Sequence, residues 1–384
     1  MKVYFDNAAT TPLHPQVLEK MKPFLTEEYG NASSIHSFGR SARVAIENAR
    51  EIAAEFINSD PGEIYFTSGG SEANNFIIRG IAQSEYAESK RKNIITTKGD
   101  HHSVIDTFAE LSKNNFDVEF IDVDKDSRIQ TRDLAEHINL KTSLVSIIHV
   151  NNETGAINPI EEFGDELTAQ NIFFHSDCVQ SFGKIPIDVK KIKLNALTAS
   201  AHKINGPKGI GLAFVKSGTP MQPLIFGGSQ ERNRRAGTEN VAAIVGFAEA
   251  INIAKQTMDE KNKLVQQLKD KFITGLNLID KDGLRINCGI NSSPYILSVT
   301  LKSSHYKNDA EALLMFLDIH GIAVSNGAAC TSGTLKPSHV ILAAGYPIED
   351  ANGTIRFSFG AQNTFKEIDY MLEIFEKMTS KFRK

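Results

Sequence analysis

The sequence predicts an α/β protein with a mostly parallel sheet, on three observations. Six short apolar runs have strand length and β-branched or aromatic character: NIITT (93–97), VEFIDV (118–123), LVSIIHV (144–150), IFFHS (172–176), ALTAS (196–200) and IGLAFV (210–215). Helical or polar patterns separate several of them, the alternation that crossover connections between parallel strands require. Four of the runs end abruptly in polar residues: KGDHHS, NNETG, DCVQS and AHK. In open α/β sheets ligands bind beyond the carboxyl ends of strands, so these four ends predict one convergent site.

Residues 41–57 (SARVAIENAREIAAEFI) place Ala45, Ile46, Ala49, Ile52, Ala53 and Phe56 three and four apart, which predicts an amphipathic helix. EIYFTSGGSEANNFIIRGIA (63–82) reads as a strand, a Gly-rich turn and a helix. Residues 247–279 are long, helical and charged, and serve as the bridge to a smaller second unit. That unit holds a strand at LSVTLKSS (297–304), a helix at 309–321, the loop SNGAACTSG (325–333), a strand at TIRFSFG (354–360) and a helix from Lys366. The expected division is a large domain over 13–255 and a small one made of 1–12 and 256–384.

Composition narrows the function classes. Of 384 residues 41% are hydrophobic and 23% charged, as in ordinary globular proteins. A net charge of −4 argues against nucleic acid, whose phosphates need clustered Lys and Arg. No apolar run reaches the roughly 18 residues that span a bilayer. The opening MKVYFDNAATTPLHP lacks the apolar stretch of a signal peptide, so no export is expected. Three widely spaced cysteines, Cys178, Cys288 and Cys330, make no disulfide framework and suit a reducing cytoplasm. No Cys-x-x-Cys pair signals zinc, and the adjacent His101 and His102 lack the i, i+4 spacing of ligands on one helix face; no metal is expected.

SAHKINGPKG (200–209) carries the most chemistry. Lys203 follows an apolar strand and precedes a Gly/Pro turn, behind Ser200 and His202. An amine at a strand end can form a Schiff base, as a pyridoxal 5′-phosphate enzyme requires. Such an enzyme also needs a carboxylate for the pyridine nitrogen and a cup for the phosphate. Asp177 in HSDCVQS can supply the first, or be a helix cap. TSGGSEANN (67–75) supplies an anion site where Gly70 and Ser71 open a helix. His101 can stack on a cofactor ring and carry a proton. Arg356, amid apolar neighbours, can clamp a substrate carboxylate or form a structural ion pair. Cys178 and Cys288 flank apolar runs and read as core thiols.

Taken together the stretches resemble the cysteine desulfurases, pyridoxal-phosphate enzymes of the class V aminotransferase type. The matching stretches run in family order: YFDNAATTP (4–12), FTSGGSEANN (66–75), HVNNETG (149–155), HSDCVQSFGKIPID (175–188), SAHKINGPKGIG (200–211), GGSQERNRRAGTENV (227–241), NGAACTSG (326–333) and IRFSFG (355–360). The resemblance implies the type I fold of pyridoxal-phosphate transferases, with a seven-stranded sheet in the large domain. It implies that Lys203 carries the cofactor, His101 stacks on its ring, Asp177 pairs with the ring nitrogen and Gln180 bonds the ring hydroxyl. Asn152 would sit beside substrate and cofactor. Gly70, Ser71, Ser200 and His202 would hold the phosphate, and Thr238 the phosphate of a second subunit, making a homodimer. Arg356 would bind the carboxylate of L-cysteine, and Cys330 would take its sulfur as a persulfide for an acceptor such as an iron–sulfur scaffold protein. Selenocysteine lyase on the same fold is the alternative activity, and a non-catalytic binding platform a third reading, disfavoured by the presence of Lys203, Asp177 and Cys330 together. Three positions depart from the family pattern: Ala32 stands where GNPSS has proline, Ser71 replaces threonine, and Asn205 replaces an aromatic residue or histidine.

Overall fold

The computed structural model describes residues 1–327 and 336–384. Its strands in chain order are β1 (Val3–Tyr4), β2 (Ile64–Thr67), β3 (Asn93–Thr97), β4 (Asp117–Ile121), β5 (Thr142–Ile148), β6 (Phe173–Asp177), β7 (Ala196–Ser200), β8 (Gly211–Val215), β9 (Leu284–Ile286), β10 (Ile296–Leu301), β11 (Ile322–Ala323) and β12 (Thr354–Ser358). Seven of them form one sheet in the order β2-β8-β7-β6-β5-β3-β4. β4, β3, β5, β6 and β7 are parallel, while β8 runs antiparallel to both β7 and β2. All six apolar runs are strands of this sheet.

Burial on both faces explains why those runs are continuously apolar. Neighbouring residues alternate between two cores, as the two-residue period of a strand dictates. Ile95, Val145, Leu197 and Leu212 join helices Ser37–Ile57 and Val241–Asp280 on one face. Ile94, Leu144, Ala196 and Ala213 join helices Gly70–Ser89 and His102–Ser112 on the other.

A third core belongs to the C-terminal part. Strands β12, β10 and β9 form an antiparallel sheet against helix Phe365–Phe382. The chain's first residues return here: β1 pairs in parallel with β11, Val3 opposite Ile322, and Val3 and Phe5 are buried in this core. The helix expected over 247–279 is longer, Val241–Asp280, capped by the Asn240 side chain accepting from Ala243 N at 3.1 Å. Its first half buries Phe247 and Ile251 against the large sheet, and its second half buries Val265, Phe272 and Leu276 in the C-terminal core.

Candidate active site

The carboxyl ends of the parallel strands open into a cleft of about 380 Å³. His101 follows β3, Asn152 follows β5, Asp177 ends β6 and Ser200 ends β7, and all four line the cleft. Lys203 and His202 enter from the turn after β7, Gly70 and Ser71 from the start of a helix, and Arg356 from β12. The sheet topology thus brings together residues spread over nearly the whole sequence.

Lys203 is anchored by the N-terminal segment. Its Nζ donates to Ala8 O at 2.6 Å and to Ala9 O at 2.7 Å. Burial pulls its pKa down to about 8, and the Arg356 charge adds to the shift. Asp177 is buried beside it, with Oδ2 accepting from Asn74 Nδ2 at 2.8 Å and Oδ1 from Val179 N at 3.0 Å. The second contact closes a turn after β6; no helix starts there, so Asp177 is not a helix cap, and it lines the cleft. Asn74 also donates to Ser103 Oγ at 2.8 Å, which lies 2.8 Å from His101 Nδ1. His101 Nδ1 accepts from Ser103 N at 3.1 Å, so the neutral ring carries its proton on Nε2. Burial, with Lys203 and the neighbouring histidines adding, lowers the His101 pKa against the pull of Asp177 and keeps the ring neutral.

The anion-binding end is built from backbone. Gly70 and Ser71 begin a 20-residue helix, whose first N–H groups have no partners within the helix. A Cβ on Gly70 would stand 2.9 Å from Val179 Cγ2, so only glycine lets the turn sit this close to the residues after β6. Ser200 and His202 stand across from it in an adjoining opening of about 420 Å³, which Lys208 also lines. His202 Nδ1 lies 3.2 Å from Thr10 Oγ1, and burial with nearby Lys203 and Lys208 pushes its pKa down to about 4.

Arg356 forms the structural ion pair that was one of its two sequence readings. Nη2 donates to Asp6 Oδ1 at 2.8 Å and Nη1 to Asn152 O at 2.9 Å, while the buried Nε finds no partner among the described residues. Asn152 Oδ1 is likewise buried without a partner. Gln180 lines the cleft, its Nε2 donating to Ala8 O at 2.9 Å. Thr238 does not join this cleft; it lines a separate opening with Glu231, Arg235 and Glu239. Cys330 lies outside the described residues. Cys178 is a buried core thiol whose pKa burial pushes up to about 12. Among the described residues no group of His, Cys, Asp and Glu is arranged to hold a metal ion.

Sequence reasoning left four contributors without a role. The Ala8 and Ala9 carbonyls, Asp6 and Asn74 are defined by contacts across the chain. Their stretches were singled out, but nothing local says that a carbonyl will receive a lysine. Asn205, a departure at the sequence level, has a structural reason. Its φ is +64°, a left-handed backbone that asparagine tolerates, and its Nδ2 donates to Pro12 O at 2.9 Å.

Residues 3–371 match the family model Aminotransferase class-V. The chain is 43% identical over 382 residues to cysteine desulfurase IscS of Dictyoglomus turgidum, covering 100% of this chain and 95% of that protein. Among solved structures it is similar to a NifS-like protein, with 36% identity, a TM-score of 0.91 and 100% of both chains covered. It is also similar to SspA in complex with cysteine, with 33% identity and a TM-score of 0.80 over 94% of this chain and 100% of that one. With the type I architecture and the cleft at the strand ends, these likenesses place the chain in the class-V aminotransferase family, as a cysteine desulfurase.

Proposed function

We propose that this desulfurase holds pyridoxal 5′-phosphate in the cleft on Lys203 and moves sulfur from L-cysteine to Cys330. The observation that carries the reading is a lysine with a lowered pKa beside a buried carboxylate that forms no ion pair among the described residues. Asp177 would hold a protonated pyridine nitrogen as its charged partner. The helix start at Gly70 and Ser71, with Ser200 and His202, suits a phosphate. The orphaned Asn152 Oδ1 and Arg356 Nε are spare polar groups on the substrate side.

When bound, pyridoxal phosphate supplies an electron sink for the carbon attached to the substrate nitrogen. The protein's residues do the rest. Arg356 binds the substrate carboxylate with its planar fork, aligned by Asp6. Lys203, as a neutral amine, would take and return the Cα proton. Asp177, fixed by Asn74, would hold the proton on the ring nitrogen. Neutral His101, set by Ser103, would cover the ring face and keep water from it. The Cys330 thiolate attacks the substrate sulfur; an S–S bond forms, the Cβ–S pair stays on Cβ, and Cβ takes a proton, so alanine leaves.

We read residues 13–255 as the large domain and 1–12 with 256–384 as the small one, the cleft lying between them. A homodimer fits the exposed apolar group Tyr29, Ile35 and Phe38 and the position of Thr238 away from its own cleft. Transfer onward to an iron–sulfur scaffold or similar acceptor completes the reading, and the free thiols suit the cytoplasm. Mass spectrometry after L-cysteine tests it: one added sulfur is expected on Cys330, and none in Cys330→Ser, which should still bind the cofactor. A Cys330→Ser protein that still releases alanine at the wild-type rate would refute the carrier role.

A further inference from the structure

Lys184 is a buried lysine for which the mechanism above has no use. It lies four residues after Gln180 in the turns that follow β6, and its Nζ donates to Gln180 Oε1 at 3.2 Å. Gln180 in turn donates from Nε2 to Ala8 O, the same carbonyl that receives Lys203 Nζ. Two lysines are therefore joined through one amide and one carbonyl. The Lys184 ammonium lies 5.0 Å from the centre of the Tyr295 ring. The pocket it shares with Lys203 is lined by Lys261, Tyr295, Asn205 and Gln362, and contains no carboxylate. On the helix side, Asn262 donates to the Lys184 backbone carbonyl at 2.9 Å.

A lysine held this way has a definite effect on its neighbour. An ammonium only donates, whereas an amide has one accepting and one donating end. Lys184 must face the amide oxygen, and that leaves the N–H₂ end turned to Ala8 and the cleft. We propose that Lys184 is a positioning residue for the reaction: it locks the Gln180 amide so that its N–H₂ end is presented to the oxygen on the pyridoxal ring. The inference rests on the pyridoxal-phosphate reading of the cleft. Burial without a carboxylate, with Lys203 nearby, brings the Lys184 pKa down to about 7, so the donor-only ammonium that sets the direction of the amide is the form present below that pH.

The test is the absorbance of the bound pyridoxal chromophore titrated with pH, in a two-residue mutant cycle. Losing a donor to the ring oxygen should raise the chromophore's apparent pKa by about one unit. Lys184→Met and Gln180→Ala are expected to shift it alike, and the double variant no further than Gln180→Ala alone. Additive shifts, or a wild-type titration in Lys184→Met, would overturn the assignment. If Lys184→Met does not fold, Lys184→Gln takes its place. It offers an N–H donor without charge and is expected to titrate like wild type; a shift matching Gln180→Ala would overturn the proposal. A wild-type protein that binds no pyridoxal phosphate would instead defeat the reading of the cleft itself.

Discussion

At the scale of single residues, the site is governed by burial. Lys203 has an ordinary pKa of 10.5, and its surroundings lower it to about 8. The neutral amine is the form that condenses with an aldehyde. The rate at which apo-protein captures pyridoxal phosphate should therefore rise about tenfold per pH unit below 8 and level off above it. Stopped-flow absorbance between pH 6.5 and 10 checks this; a rate still climbing at pH 10 would mean Lys203 is not shifted. Linkage gives the matching sign for stability. Between about pH 8 and 10.5 the unfolded chain binds this proton and the folded one does not. The penalty for burying the lysine is thus fully present below pH 8 and is relieved as pH rises towards 10.5.

At the scale of elements, one buried ion pair secures the segment that carries Thr238. Arg50, from helix Ser37–Ile57, meets Glu231 in a two-point contact at 2.8 and 3.0 Å, both side chains almost wholly buried. Glu231 also accepts from Phe66 N, and Arg50 donates to Ile64 O, so the pair ties the segment to the edge strand β2. Glu231, Arg232 and Asn233 all have positive φ, of +44°, +56° and +62°. At Glu231 and Arg232 this costs about 1–2 kcal/mol each, while asparagine tolerates it, and the ion pair holds the segment there. Glu231→Gln should destabilise the protein by up to about 3–5 kcal/mol in urea unfolding, because it leaves a buried guanidinium only the half-exposed Glu47 at 3.3 Å as a charged partner. Arg50→Met added to it should recover part of that loss; equal or greater destabilisation in the pair would mean the contact is incidental.

At the scale of the whole molecule, the Val241–Asp280 helix runs through both the large-sheet core and the C-terminal core. With a 1.5 Å rise per residue it is about 60 Å long. It holds β12, and so Arg356, against strand ends that belong to the other sheet. In the proposed homodimer each cleft also borrows Thr238. Mixing Lys203→Ala protein with Thr238→Ala protein should then give hybrids in which one cleft has both residues intact. Desulfurase activity of the dissociated and reassociated mixture should exceed that of either parent. A mixture no more active than its parents would place Thr238 outside the partner's site. No helix among the described residues is long and apolar enough to cross a membrane.

The strands of the large sheet, the Gly70 turn and most of the cleft residues were legible in the sequence, since period, turn chemistry and polar strand ends are local properties. The roles proposed for Lys203, Asp177 and Gly70 rest on the chemistry such ends can do. What the tertiary structure alone decided concerns partners distant along the chain. Ala8 and Ala9 receive Lys203 from about 195 residues away. Asp6 aligns Arg356, and Lys184 meets the amide next to Ala8. The antiparallel turn of β8 and the separation of Thr238 from its own cleft belong here too. A carbonyl or a carboxylate carries no mark in sequence of what it will face. That is set only when sheet order and the returning N-terminal segment bring the two ends of the chain together.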